Sequence, residues 1–272
     1  MKNKDKIVEN KGITGMGTDY NVYILSGTKR VTVLMAGFMI GFIASYIYFD
    51  NQIVSIIVGA LTGVFAIPVY TKKLFNDRKK ELRIQFRDLL ESLSNSYTVG
   101  MTSIRAFHAA YSDMIAEHGE NSYITNEVRL ICAAHDNRGI EIKDMLNDFA
   151  ERSGLEDVRS FAGVFQVSSE LGGDVAKVIR ETRDMIGDKI ETELEIQTMV
   201  TAQKNQLNVL AVMPIVMSLL TKSFNTDTSG EIVLSNGMVL TNGMIVILIK
   251  IIAMGLFIFA YWLGTKIVDI KV

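Results

Sequence analysis

Apolar and polar positions fall into blocks along this chain. From Val31 to Phe49 (VTVLMAGFMIGFIASYIYF) and from Ile53 to Tyr70 (IVSIIVGALTGVFAIPVY) no side chain is charged. The first block spans roughly 28 Å at helical rise, close to the hydrocarbon thickness of a bilayer. Only Asp50-Asn51-Gln52 separates the two blocks, so the pattern predicts a transmembrane hairpin over residues 29–71, with spans at 31–49 and 53–70. Two further apolar blocks, 207–221 and 244–263, predict a C-terminal pair of spans within 207–272. Pro214 lies in the third block, where neighbouring helices can satisfy the carbonyl it frees.

Between the pairs, residues 72–206 are charged and amphipathic. Leu82, Phe86, Leu89, Leu90, Leu93 and Tyr97 recur at intervals of three and four, which places them on one helical stripe. Similar stripes follow at Ile104, Phe107, Tyr111 and Met114; at Ile124, Val128 and Ile131; at Ile142, Met145 and Phe149; and at Leu155, Val158, Phe161 and Phe165. With a long final segment from Asp174 to Gln206, the spacing predicts six cytoplasmic helices. The final one would be roughly 50 Å long and would run directly into Leu207. No sustained alternation of period two occurs here, so strands are not expected. The expected fold class is all-α: a multi-pass membrane protein with four transmembrane helices and a six-helix cytoplasmic bundle.

Residues 1–28 are polar, contain glycines and show no apolar period, which predicts a disordered tail. A secretory signal is not expected, because the first apolar run begins only near Val31 and exceeds an ordinary h-region. Cations fix the orientation. Lys29 and Arg30 precede the first span and Lys72, Lys73, Arg78, Lys79 and Lys80 follow the second, whereas the turn between the spans has no cation. By the positive-inside rule both termini are cytoplasmic, in a cell-membrane protein.

Composition narrows the function classes. The 272-residue chain is 49% apolar with net charge −2, so no whole-chain basic footprint points to nucleic acid. Two prolines and 21 glycines favour long helices over a strand-and-turn design. A lone Cys132 excludes an intrachain disulfide and any zinc site built of several cysteines.

The chain also carries an internal echo. Setting Gly100 against Gly172 aligns Leu93 with Phe165, Val99 with Leu171, and Thr102 with Asp174. At both places an amphipathic helix ends at a glycine suited to a left-handed C-cap, and an N-cap side chain follows two residues later. Gly100, Thr102, Gly172, Gly173 and Asp174 are therefore expected to form helix junctions.

Over about residues 80–220 the sequence resembles the type II secretion system F-domain proteins, and within them the Tad pilus platform proteins of the TadB and TadC type. The resemblance rests on QFRDLLESLSNSYTVGMTSIRAF, GIEIKDMLNDFAERSGLEDVRSF and SSELGGDVAKVIRETRDMI, together with the order of membrane blocks. It implies a cell-membrane platform protein, not an enzyme, that couples a hexameric secretion ATPase to the extraction and assembly of pilin-like subunits. Implied partners are that ATPase, a second F-domain platform protein, pilin-like subunits, membrane lipid and further copies in an oligomer, with no cofactor. The chain has one F-like domain where the long type II and type IV pilus relatives have two, which favours the Tad branch.

Candidate chemistry is sparse. His108, His118 and His135 lack the spacing of a zinc site and are expected as solvated or core histidines. Gly172-Gly173 lacks the lysine and preceding strand of a P-loop. Glu191, Glu193 and Glu195 alternate on a helix and do not share a face, so they predict a solvated surface. Lys250 sits inside the fourth apolar block. Its ammonium either snorkels to the outer surface or faces the bundle interior and meets an acid on a passing subunit. Arg83, Arg87, Glu91, Arg152, Glu156, Arg159 and Arg180 are candidate contacts for a motor ATPase on the charged helical faces. The long helix would carry motion into the membrane and, where its apolar stripe thins between Gly187 and Glu195, would bend there. A membrane-anchored helical signalling or sensor protein is the alternative. A transporter fits less well, because Lys250 is the one ionisable group in the apolar blocks.

Overall fold

The computed structural model describes residues 12–15, 17–22, 25–49, 51–171, 174–224, 232–233, 239–240, 251–256, 259–260 and 263–264. Seven helices account for most of them: α1 (Gly27–Phe49), α2 (Gln52–Thr98), α3 (Ser103–His118), α4 (Tyr123–Arg138), α5 (Ile142–Ser153), α6 (Glu156–Leu171) and α7 (Val175–Phe224). Two short strands, β1 (Ile232–Val233) and β2 (Val239–Leu240), pair antiparallel with Ile232 opposite Leu240. The second apolar block and the first cytoplasmic stripe, read as separate elements, form the single helix α2. No backbone break separates them, because Pro68 and the cations after Tyr70 remain in helical conformation.

The chain divides into two compact units, residues 1–29 with 69–192, and residues 30–68 with 193–272. In the first, the amphipathic stripes meet in one core. Phe86 of α2 lies between Phe149 of α5 and Phe161 of α6, with ring centroids at 6.1 and 5.6 Å, and all three side chains are fully buried. Burying one such ring contributes roughly 1.5–3 kcal/mol relative to leaving it in water. Met114 of α3, Ile131 of α4 and Ile179 of α7 close the same cluster. Local signals set the ends of these helices. The Ser122 hydroxyl accepts from the Thr125 N–H at 3.2 Å, capping α4. Gly154 ends α5 with φ +58°, a left-handed conformation that a residue with a Cβ adopts only with strain.

Among the described residues the last buried apolar side chain of α7 is Ile190, and the first unit ends at Thr192 although the helix continues. The thinning stripe expected between Gly187 and Glu195 thus coincides with the edge of the core, earlier than residue 206.

The second unit is organised differently. Its helix α2 starts at Asn51, whose side chain accepts from the Ile53 N–H at 2.9 Å. Gly37 and Gly41 of α1 lie against Gly63 and Thr62 of α2, and Gly59 of α2 lies against Phe38 of α1. A Cβ at Gly63 would lie 2.9 Å from the Leu34 carbonyl oxygen, and one at Gly41 would land on the Thr62 side chain. The Thr62 hydroxyl also reaches the Gly37 carbonyl at 3.2 Å. These are two facing small-xxx-small motifs, the contact by which apolar helices approach closely without a hydrophobic driving force. The larger apolar residues point outward: Ile40 is 71%, Ile53 71% and Phe65 69% exposed. Among the described residues, α1 and α2 are long and apolar enough to cross a membrane.

The expected tail is corrected for its described part. Residues 12–15 and 17–22 pack on the first unit, and Tyr20 is 1% exposed. Their apolar content is too low to show a period, but a single aromatic anchor and main-chain hydrogen bonds suffice to hold them.

Candidate partner surface and a buried charge cluster

The structure sorts the seven candidate contact residues of the cytoplasmic helices into three groups. Glu91, Glu156, Arg159 and Arg180 are exposed, with Arg159 and Glu156 3.8 Å apart one turn along α6. Arg83 and Arg87 are half-buried and paired, Arg83 to Asp157 at 3.0 Å and Arg87 to Asp88 at 2.6 Å. The exposed Arg159–Glu156 pair contributes little to stability, so both of its side chains remain available to a partner.

Arg152 departs from the expectation of a surface charge, being 2% exposed. The acids that neutralise it come from two helices. Its Nη1 and Nη2 donate to the two Glu127 oxygens of α4 at 2.8 and 2.7 Å, and its Nε donates to Asp148 Oδ2 at 2.7 Å. Burial alone would pull the guanidinium toward deprotonation. The bonds and charges of Glu127 and Asp148 outweigh it and hold the group above its ordinary pKa. Its charge alone marked Arg152 as solvated. The signal that was present is its position three residues after Phe149, on the buried face of α5.

The N-terminal segment seals this cluster. Tyr20 donates its hydroxyl to Glu127 Oε1 at 2.9 Å and its main-chain N–H to the Arg152 carbonyl at 2.9 Å. The Ile13 N–H donates to Asp148 Oδ1 at 2.9 Å. Arg152 Nη1 reaches the Thr18 carbonyl at 3.2 Å, and Arg78 Nη2 reaches that of Asp19 at 3.0 Å. The Arg78 guanidinium also stacks over the Tyr20 ring at 4.7 Å. Burial first, then the neighbouring Glu127 carboxylate, push the Tyr20 phenol well above its ordinary pKa, so it stays a donor.

The junction residues behave unequally. Gly100 has φ +81°, and the Met101 N–H donates to the Ser96 carbonyl at 3.2 Å, so the glycine stops α2 as expected. Thr102 precedes α3 in extended conformation, but its side chain caps no amide, contrary to the expected N-cap. Asp174 does cap α7, accepting from the Lys177 N–H at 3.0 Å. Gly172, Gly173 and Lys250 lie outside the described residues.

Near the Gly100 junction, Lys143 bridges Glu141 and Glu170, each at 3.0 Å, beside a cavity of about 280 Å³ lined by Thr102, Ser103, His135 and Phe165. Hydrogen bonding to Glu141 and then Glu170 raises the Lys143 pKa, and the Lys143 bond lowers that of Glu170. The histidines are polar-paired: His118 Nε2 with Asp88 at 3.1 Å, His108 Nε2 with Asp136 at 3.1 Å, and His135 Nδ1 with the Ile140 carbonyl at 3.0 Å. Asp88, Glu117 and His118 lie close enough together to share a cation, but Arg87 already occupies Asp88 Oδ1. Burial pushes the Cys132 thiol up to about 11, which keeps it protonated and unreactive at neutral pH.

A scan against protein-family models, a search of curated proteins and a search of solved structures each returned no match.

Proposed function

We propose that this chain is a cell-membrane platform protein of a Tad-type, type IV-like pilus or type II secretion apparatus, without enzymatic activity. In this reading a hexameric secretion ATPase docks on the helical unit, and its rearrangement is passed through α7 to the membrane segments, where a pilin-like subunit is extracted. The observation that carries the reading is α7 itself. Its first part packs into the core of the helical unit through Ile179, Ile186 and Ile190, and its last part exposes Val209, Leu210, Val212 and Val216 in one unbroken helix. A helix of that kind suits a transmitter between an aqueous domain and a lipid-facing one. The full reading includes four spans, six helical segments in the cytoplasmic domain and both termini in the cytoplasm. The exposed charges Glu91, Glu156, Arg159 and Arg180 form the docking face, and Arg152 is removed from it.

Affinity purification of the full chain from native membranes tests this. The expected result is recovery of a secretion ATPase, a second F-domain protein and pilin-like subunits, with the ATPase lost when Glu156, Arg159 and Arg180 are reversed in charge together. Recovery of the intact protein without an ATPase or pilin-like subunit would overturn the reading.

A further inference from the structure

We propose that the groove between α2, α4 and α5 is a peptide-binding site, that residues 12–15 and 17–22 are its resident ligand, and that this ligand is exchangeable for another peptide segment of the same chemistry. Recognition is mainly of main chain. Three arginines meet four carbonyls of the segment: Arg138 that of Thr14 at 3.4 Å, Arg152 that of Thr18 at 3.2 Å, and Arg78 those of Asp19 and Val22 at 3.0 and 3.4 Å. Lys79 adds a bond to Asn21 Oδ1 at 3.0 Å. Any extended peptide presents carbonyls, so these contacts give affinity and direction with little sequence demand.

Register and specificity come from two features. Tyr20 fills a pocket formed by Tyr123, Phe149 and Arg78, with its ring edge-on to both aromatics at 5.9 and 6.4 Å and its hydroxyl on Glu127. A buried tyrosine with one polar end is a typical binding anchor. The glycines supply the second feature. A Cβ at Gly17 would sit 2.5 Å from Nε and Cζ of Arg152, and one at Gly12 would sit 2.6 Å from Asp148 Oδ1. Arg152 cannot yield, because Glu127 and Asp148 hold it from two sides. The site therefore takes a peptide with glycine where it crosses Arg152 and tyrosine three residues later, the pattern Gly-Thr-Asp-Tyr of the resident segment.

Exchange is built into the charge balance. Beneath the segment, Arg152 is paired with both Glu127 and Asp148, and those ion pairs use no atom of the ligand. An emptied groove keeps its ion pairs. The glycines Gly12, Gly15 and Gly17 make the free segment costly to order, which weakens the resident ligand relative to a stiffer one. Because it is tethered, the segment acts at an effective concentration on the order of millimolar, and a free peptide at micromolar concentration enters only when the segment is disabled.

The test uses the full chain in detergent micelles and a fluorescent peptide of sequence GITGMGTDYNV. Tyr20→Ala and, separately, Gly17→Ala are introduced in the chain to disable the resident segment. Saturable peptide binding is expected to both variants, at least about tenfold tighter than to the unaltered chain. Binding should raise the melting temperature of the Tyr20→Ala variant, and a peptide with alanine in place of tyrosine should bind at least about tenfold more weakly. Two results would overturn the proposal: folded variants that bind no peptide, or loss of helical content in both variants, which would make the segment a fixed part of the fold.

Discussion

Phe86 and Phe65 belong to the same helix, α2, and meet opposite surroundings. Phe86 is fully buried against Phe149 and Phe161, whereas Phe65 is 69% exposed. The contrast extends to the units that contain them. In the first unit the large apolar residues of the helical stripes turn inward and most charges turn outward, with Asp88, Asp157 and the sealed Arg152 cluster as buried exceptions. In the second, glycines and Thr62 turn inward and large apolar residues turn outward. One helix thus obeys two packing rules, the first set by water and the second the one expected in the lipid that the proposed function places around it. Water drives apolar surface into a core, while lipid offers no such drive and leaves close backbone approach as the way for helices to associate.

The comparison breaks most sharply at the aromatic pair. Phe86→Ala is expected to destabilise the first unit by about 3–5 kcal/mol, read as a lowered unfolding midpoint in detergent. Phe65→Ala should stay within about 0.5 kcal/mol, because its side chain is 69% exposed. Equal losses from the two would mean that the outward face of α2 is a protein core.

A loss of similar size is expected for Arg152→Met, about 3–5 kcal/mol, since Glu127 and Asp148 are left buried without their cation. Adding Glu127→Gln should recover part of it. A neutral single variant would show that the cluster is hydrated. Gly41→Leu probes the other rule. Its side chain would collide with Thr62, and a cost of about 1–3 kcal/mol is expected, visible as loosened α1–α2 cross-linking with the melting of the first unit unchanged.

The smallest effect concerns the exposed Lys143 bridge. The folded Glu170 pKa lies below its unfolded value. Its contribution is therefore present above the ordinary carboxylate range and is lost as pH falls through the depressed folded value. Lys143 is shifted upward, so its contribution is present below the ordinary lysine range and is lost only as pH rises through the raised folded value. Lys143→Met should raise the Glu170 titration, followed by NMR, toward the ordinary carboxylate range, with the Gln166 hydrogen bond retaining part of the shift. No change in that midpoint would remove Lys143 as the cause.

The sequence by itself determined the helical class, the apolar hairpin and the buried stripes. Those properties are periodic, and periodicity is local: Leu82, Phe86, Leu89 and Leu93 are all buried on the side their spacing selects. The stop at Gly100 was legible for the same reason, as a backbone requirement of one residue. Only tertiary structure decided the fate of Arg152, Glu127 and Tyr20. A charged residue reads as solvated unless its partners are known, and these partners lie 25 and 107 residues apart in sequence along the chain of contacts that joins them. The same holds for Gly12 and Gly17, whose missing side chains make room for a guanidinium brought there by α5. Segments without periodicity are placed by such distant contacts, and distance along the chain is what a local pattern cannot measure.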